Sequence, residues 1–104
     1  MSEKPIAERC LFFSAKGESE RKRLVIRVFA PRLVDPASAP FEVADGTAVC
    51  TVKFDGIADE TQGDTYGADS LQALQLAIDI DPVLKRLSER YDFYFPTGET
   101  YFEE

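Results

Sequence analysis

The chain predicts an α+β fold: an antiparallel sheet of three to five strands packed against one C-terminal helix, kinked or tightly broken at Pro82. Three observations carry that expectation. Apolar and polar residues alternate through much of residues 6–55, the period-two signature of strands. The pairs Asp45-Gly46 and Asp55-Gly56 punctuate this region as turns. From Asp69 onward the apolar spacing lengthens to three and four, as in a helix with one buried stripe. With 104 residues, 44% of them hydrophobic, residues 1–104 are expected to form a single domain with its own core.

Residues 6–15 form the first expected strand, with Cys10 and Phe12 on one side and Leu11 and Phe13 on the other. Both sides are apolar near its middle, which predicts a strand covered on both faces or partly covered at its edge. Residues 16–23, with Gly17 and a run of charges, make a polar turn. Leu24, Ile26 and Val28 then alternate with Val25, Arg27 and Phe29, giving the second strand of an antiparallel hairpin. Pro31, Pro36 and Pro40 mark an exposed connection, since each removes a backbone donor and biases its predecessor away from helix; Phe41 and Val43 are its expected anchors. Ala48, Cys50, Val52 and Phe54 alternate with Val49, Thr51, Lys53 and Asp55 in the clearest strand. Residues 58–66 supply a fourth, polar edge strand interrupted at Gly63.

The helical region spans residues 69–91. Asp69 is the expected N-cap, accepting from the first free amides, and Gln72 falls at N3 in a capping-box arrangement. Leu71, Leu74 and Ile78 form one stripe expected to face the sheet. Ala73, Ala77, Ile80, Leu84, Leu87 and Tyr91 form a second, which runs past Pro82. That pattern fits one helix kinked at proline, or two short helices with Asp81 capping the second and Pro82 at its first position. Beyond it, Phe93, Tyr94, Phe95, Tyr101 and Phe102 predict a strand or a docked tail.

Composition narrows the function more by exclusion than by assignment. The chain has no His, which removes His-dependent triads and His-ligated zinc. Cys10 and Cys50 lie inside strands and are expected to be buried small hydrophobes. No signal-peptide pattern and no long apolar run occur, so the expectation is a cytoplasmic protein without membrane contact. Residues 1–53 hold nine Lys/Arg against seven Asp/Glu, while residues 54–104 hold three against twelve. So acidic a half repels nucleic-acid phosphates and favours a basic protein partner.

The remaining clusters favour surface roles. Asp55, Asp59, Glu60, Asp64 and Asp69 do not have the spacing of a calcium loop, so no metal site is expected. Asp79 and Asp81 are two residues apart and point different ways, which makes them poor paired catalytic carboxylates. Lys16, Arg21, Lys22 and Arg23, interleaved with Glu18 and Glu20, suit a charged hairpin tip guarding a sheet edge. No catalytic residue and no cofactor are assigned. The residues assigned to a partner surface are Asp59, Glu60, Asp64, Tyr94, Tyr101 and Phe102, combining acids with the aromatics that interfaces favour. The expected function is a non-enzymatic binding or regulatory module, of the kind an immunity protein or antitoxin represents, with monomer and homodimer both open.

Two resemblances bear on this reading. Gly67-Ala68-Asp69-Ser70-Leu71 resembles the acyl carrier protein motif, which implies phosphopantetheine on Ser70. That family is a small helical bundle, whereas strand-like segments precede the serine here. Glu8-Arg9-Cys10-Leu11, the proline-bearing loop, Cys50 and the run Tyr66-Gly67-Ala68-Asp69-Ser70-Leu71-Gln72-Ala73-Leu74-Gln75-Leu76-Ala77 resemble a family of small bacterial proteins classed as a domain of unknown function. This second resemblance covers residues 6–80 and implies an α+β fold; it carries no activity, ligand or site residue.

Overall fold

Strand β1 (Ala7–Ala15) turns back into β2 (Lys22–Val28), and the pair places Leu11 directly opposite Leu24. The computed structural model describes residues 4–35, 37, 42, 44–57 and 62–102. The remaining elements are β3 (Arg32–Leu33), β4 (Ala48–Asp55), β5 (Gln62–Gly67), helices α1 (Ser70–Ala77) and α2 (Asp81–Leu87), and β6 (Tyr91–Tyr94). All strand pairings are antiparallel, in the spatial order β5-β4-β2-β1-β6. Short β3 continues the line of β2 along the same side of β4.

Between β2 and β3 the register slips. From Val28↔Val52 to Arg32↔Val49 the chain advances four residues on one strand against three on the other. That is a β-bulge at Ala30-Pro31, where proline has no N–H to give to a ladder.

Directly opposed residues share a face, so the register sorts the side chains. Leu11, Phe13, Leu24, Ile26, Val28, Ala48, Cys50, Val52, Phe54 and Phe93 all point to one side, and both helices lie there. Ala73, Ala77, Ile80, Leu84 and Leu87 close the core from above. Leu84 is fully buried, a burial that stabilises the fold by about 2 kcal/mol. The other face is laced by charge: Arg27 of β2 donates to Glu8 of β1 at 3.0 Å and to Asp55 of β4.

The α+β class and the antiparallel sheet agree with expectation, and three details differ. Among the described residues the sheet has six strands rather than three to five, because the bulge sets off two-residue β3 as its own strand and the aromatic run Tyr91–Tyr94 joins β1. Tyr91 therefore belongs to a strand and not to the helical stripe. The helical region is two helices in place of one kinked helix: α2 has Ile80 as N-cap and Pro82 in its first turn, where a missing N–H costs nothing. Asp81 lies inside that turn and does not cap it.

The third difference concerns which stripe of α1 packs. Ala73 and Ala77 are buried, Leu74 is half-buried, and Leu71 and Ile78 are exposed. Gly67 explains this. A Cβ on Gly67 would stand 2.4 Å from the backbone nitrogen of Ala73, so the helix start rests almost directly on the β5 backbone. At that separation only alanine-sized side chains fit beneath the helix, and the bulkier leucine stripe turns outward. The anchors expected at Phe41 and Val43 lie outside the described residues.

Candidate functional site

Helix α1 starts at Asp69, whose extended backbone (φ −148°, ψ 179°) aims its carboxylate at the helix. The Gln72 amide donates to Asp69 Oδ1 at 2.8 Å, and Gln72 Oε1 accepts from the Ala68 amide at 2.6 Å. This reciprocal cap agrees with the one read from the sequence, reaching one residue further back. It is worth about 1 kcal/mol. Ser70 is the first helical residue and is exposed.

The cap fixes what α1 shows to solvent. Leu71, Leu76 and Ile78 are 64%, 51% and 53% exposed, unusual for side chains of this size on so short a helix. At 100° per residue, Leu71 and Ile78 adjoin half-buried Leu74 on one flank, while Leu76 lies on the other. The surroundings are acidic. Between Lys53 and Lys85 the sequence contains Asp55, Asp59, Glu60, Asp64, Asp69, Asp79 and Asp81 and neither Lys nor Arg. Asp64, Asp69, Asp79 and Asp81 are exposed.

On the Leu76 flank a groove of about 270 Å³ opens between the sheet and the helices. Val52, Phe54, Gly63 and Thr65 line it from the sheet, and Leu76, Ala77, Ile80 and Val83 from the helices, with Asp79 and Arg86 also on its wall. Gly63 leaves it open, since a Cβ there would meet nothing within 4 Å.

Of the sequence-assigned partner residues that are described, Asp64 lies apart from Tyr94, Tyr101 and Phe102. Asp64 and Tyr94 share the face away from the helices but sit on opposite edge strands, with β4, β2 and β1 between them. Asp64 Oδ1 accepts from Thr51 Oγ1 at 2.7 Å, and Thr51 in turn accepts from Arg32 Nη1 at 3.1 Å. Asp59 and Glu60 lie outside the described residues.

Tyr94, Tyr101 and Phe102 hold the C-terminal segment to the fold. The chain turns at residues 95–99, Thr100 bridges Tyr94, and the Tyr101 amide donates to the Phe93 carbonyl at 2.8 Å. Tyr101 Oη accepts from Arg9 Nη1 at 2.7 Å and donates to Asp81 Oδ1 at 2.5 Å, tying β1, the tail and α2 together. Burial, then the hydrogen bond to Asp81, push the phenol pKa up from its usual value, against the opposing pull of Arg9. Phe102 stacks edge-on against Phe93 and Tyr101, under the Lys85 ammonium. The Arg21 guanidinium lies 3.7 Å from the centre of the Tyr94 ring. Beside this segment is a cleft of about 390 Å³ whose cations are already engaged, Lys16 by Asp92 at 2.8 Å and Lys85 by the Phe102 ring.

Both cysteines are free thiols, Cys50 buried and Cys10 half-buried. Burial raises the Cys50 pKa against the pull of Arg32, and its Sγ–H donates to the Phe29 carbonyl at 3.1 Å. A buried protonated thiol of this kind is a packing group and not a nucleophile. Among the described residues no three Cys, Asp or Glu side chains gather as a metal would require, and no helix is long and apolar enough to cross a membrane.

The exposed leucine flank and the groove were not read from the sequence. The acid-only run between Lys53 and Lys85 was a signal for this corner, and the two glycines of β5 were another. No family model matches the chain, and neither the curated proteins nor the solved structures contain a match.

Proposed function

We propose that this protein is a non-enzymatic protein-binding module, immunity- or antitoxin-like in its mode of action, whose α1–β5 corner receives a basic protein. One observation carries this reading: Leu71, Leu76 and Ile78 stand exposed inside a stretch that holds acids and no base. Apolar side chains supply the area that association buries, and the acids around them speed and select the approach of a cationic surface. The aromatic tail is left out of the surface, because Tyr101 and Phe102 are committed to packing. The resemblance of residues 6–80 to a small bacterial family brings no ligand to this reading.

Affinity capture from the source cells tests it, with wild type run beside the triple variant Leu71→Ser/Ile78→Ser/Asp79→Lys. The expected result is a partner with a basic surface, retained by wild type, released as salt rises, and lost from the variant. A partner held equally by both chains, or one with an acidic surface, would sink the proposal.

A second reading keeps Ser70 as a phosphopantetheine carrier, supported by its exposed place at the first position of α1. The six-stranded sheet beneath the helix counts against it. Incubation with a phosphopantetheinyl transferase and coenzyme A, followed by mass spectrometry, decides the matter: a cofactor on Ser70 would displace the first reading.

A further inference from the structure

We infer that the basic partner docks by adding an extended segment to the outer edge of β5 as a further strand of the sheet; this rests on the protein-binding reading above. Among the described residues β5 pairs with β4 alone. In such an antiparallel edge every second residue turns its N–H and C=O away from the sheet, ready for another strand.

The two faces of β5 state what that strand carries. Gly63 and Thr65 pair with Val52 and Cys50 and so face the helices, at the floor of the groove beneath Leu76. Asp64 and Tyr66 face the other way and are exposed. A strand laid beside β5 alternates in step with it. Its helix-side residues are apolar, one of them filling the space over Gly63. Its opposite-side residues are Lys or Arg, meeting Asp64. Main-chain hydrogen bonds then give affinity, and the groove and the carboxylate give selectivity.

Charge decides between occupants. A second copy of this chain would bring its own Asp64 to the same edge, where like charges oppose pairing. A segment alternating lysine with an aliphatic residue meets no such penalty.

The test uses the full chain, isotope-labelled, titrated with a blocked octapeptide of alternating lysine and valine, and separately with its glutamate–valine counterpart. The expected result is that the lysine peptide shifts the amides of residues 62–67 and 76–80 and protects alternate β5 amides from hydrogen exchange. Gly63→Val, which the fold accommodates, fills the groove and weakens binding by about tenfold. Asp64→Asn keeps an acceptor for Thr51 and weakens binding by about threefold, with a shallower salt dependence. The inference is overturned by no shift at millimolar peptide, equal binding of the glutamate peptide, indifference to Gly63→Val, or concentration-dependent dimerisation through β5. Shifts confined to Leu71 and Ile78 would also overturn it, while leaving the protein-binding reading intact. Failure of the capture experiment removes that reading itself.

Discussion

The two ends of the sheet are finished by different means. At the β6 end the chain covers its own edge: Thr100 bridges Tyr94, Tyr101 bonds the Phe93 carbonyl, and Phe102 folds over Phe93. At the β5 end no described strand follows, and the edge carries two glycines and an exposed aspartate. A sheet edge left bare invites pairing with other chains, and covering it or charging it are both ways to manage that risk. This molecule does one at each end. The covered edge is fixed by aromatic packing; the charged edge, among the described residues, has no further strand beside it.

Three substitutions break or sharpen that contrast. Gly67→Val is expected to be the most damaging, because its side chain would collide with the Ala73 backbone and lift α1 from β5. The loss should be about 3 kcal/mol or more in chemical denaturation, with the β6 end the last to lose its aromatic near-ultraviolet signal.

Tyr101→Phe probes the covered edge and should cost about 1 kcal/mol, read together with faster hydrogen exchange at residue 101. It also has a pH signature. The Tyr101 pKa lies above the ordinary 10.0 in the folded state. The phenol therefore contributes fully below about pH 10, and the contribution is lost as pH rises through the folded value, since the unfolded chain ionises first. Wild type should lose stability more steeply than Tyr101→Phe in alkaline denaturation; parallel curves would show that the Arg9–Tyr101–Asp81 link does not hold the tail.

Leu71→Ser is expected to have the smallest effect, within about 0.5 kcal/mol by thermal unfolding, because the side chain is mostly exposed. A loss the size of a core truncation would mean that Leu71 packs inward after all.

Local signals in the sequence were legible, and distances between elements were not. The β1–β2 hairpin, the alternation of β4 and the Asp69–Gln72 cap follow from neighbouring residues, and each lies where those residues place it. The choice between the two stripes of α1 depends on how near the helix comes to β5. That is a contact between Gly67 and Ala73, and hydrophobic spacing alone cannot report it. The aromatic run from Phe93 already allowed a strand at β6, but its start was hidden for a related reason: Tyr91 continues the helical spacing after Leu87, and only its pairing with Ala15 makes it part of the strand. The candidate surface was half legible. Acidity was plain in the sequence, whereas Tyr101 and Phe102 looked like contact residues until their places in the packing were visible.

The bulge at Ala30-Pro31 works as a phase shifter. Leu24, Ile26 and Val28 face the helices, and an unbroken strand would have sent Arg32 the same way, into apolar company. One additional residue reverses the alternation, so that Arg32 pairs with Val49 on the far side and its guanidinium reaches Thr51. Which surface of the sheet bears this cation is thus set by the one residue that the bulge absorbs; drawn out as regular strand, the same letters would set Arg32 opposite Ala48 and turn the charge inward.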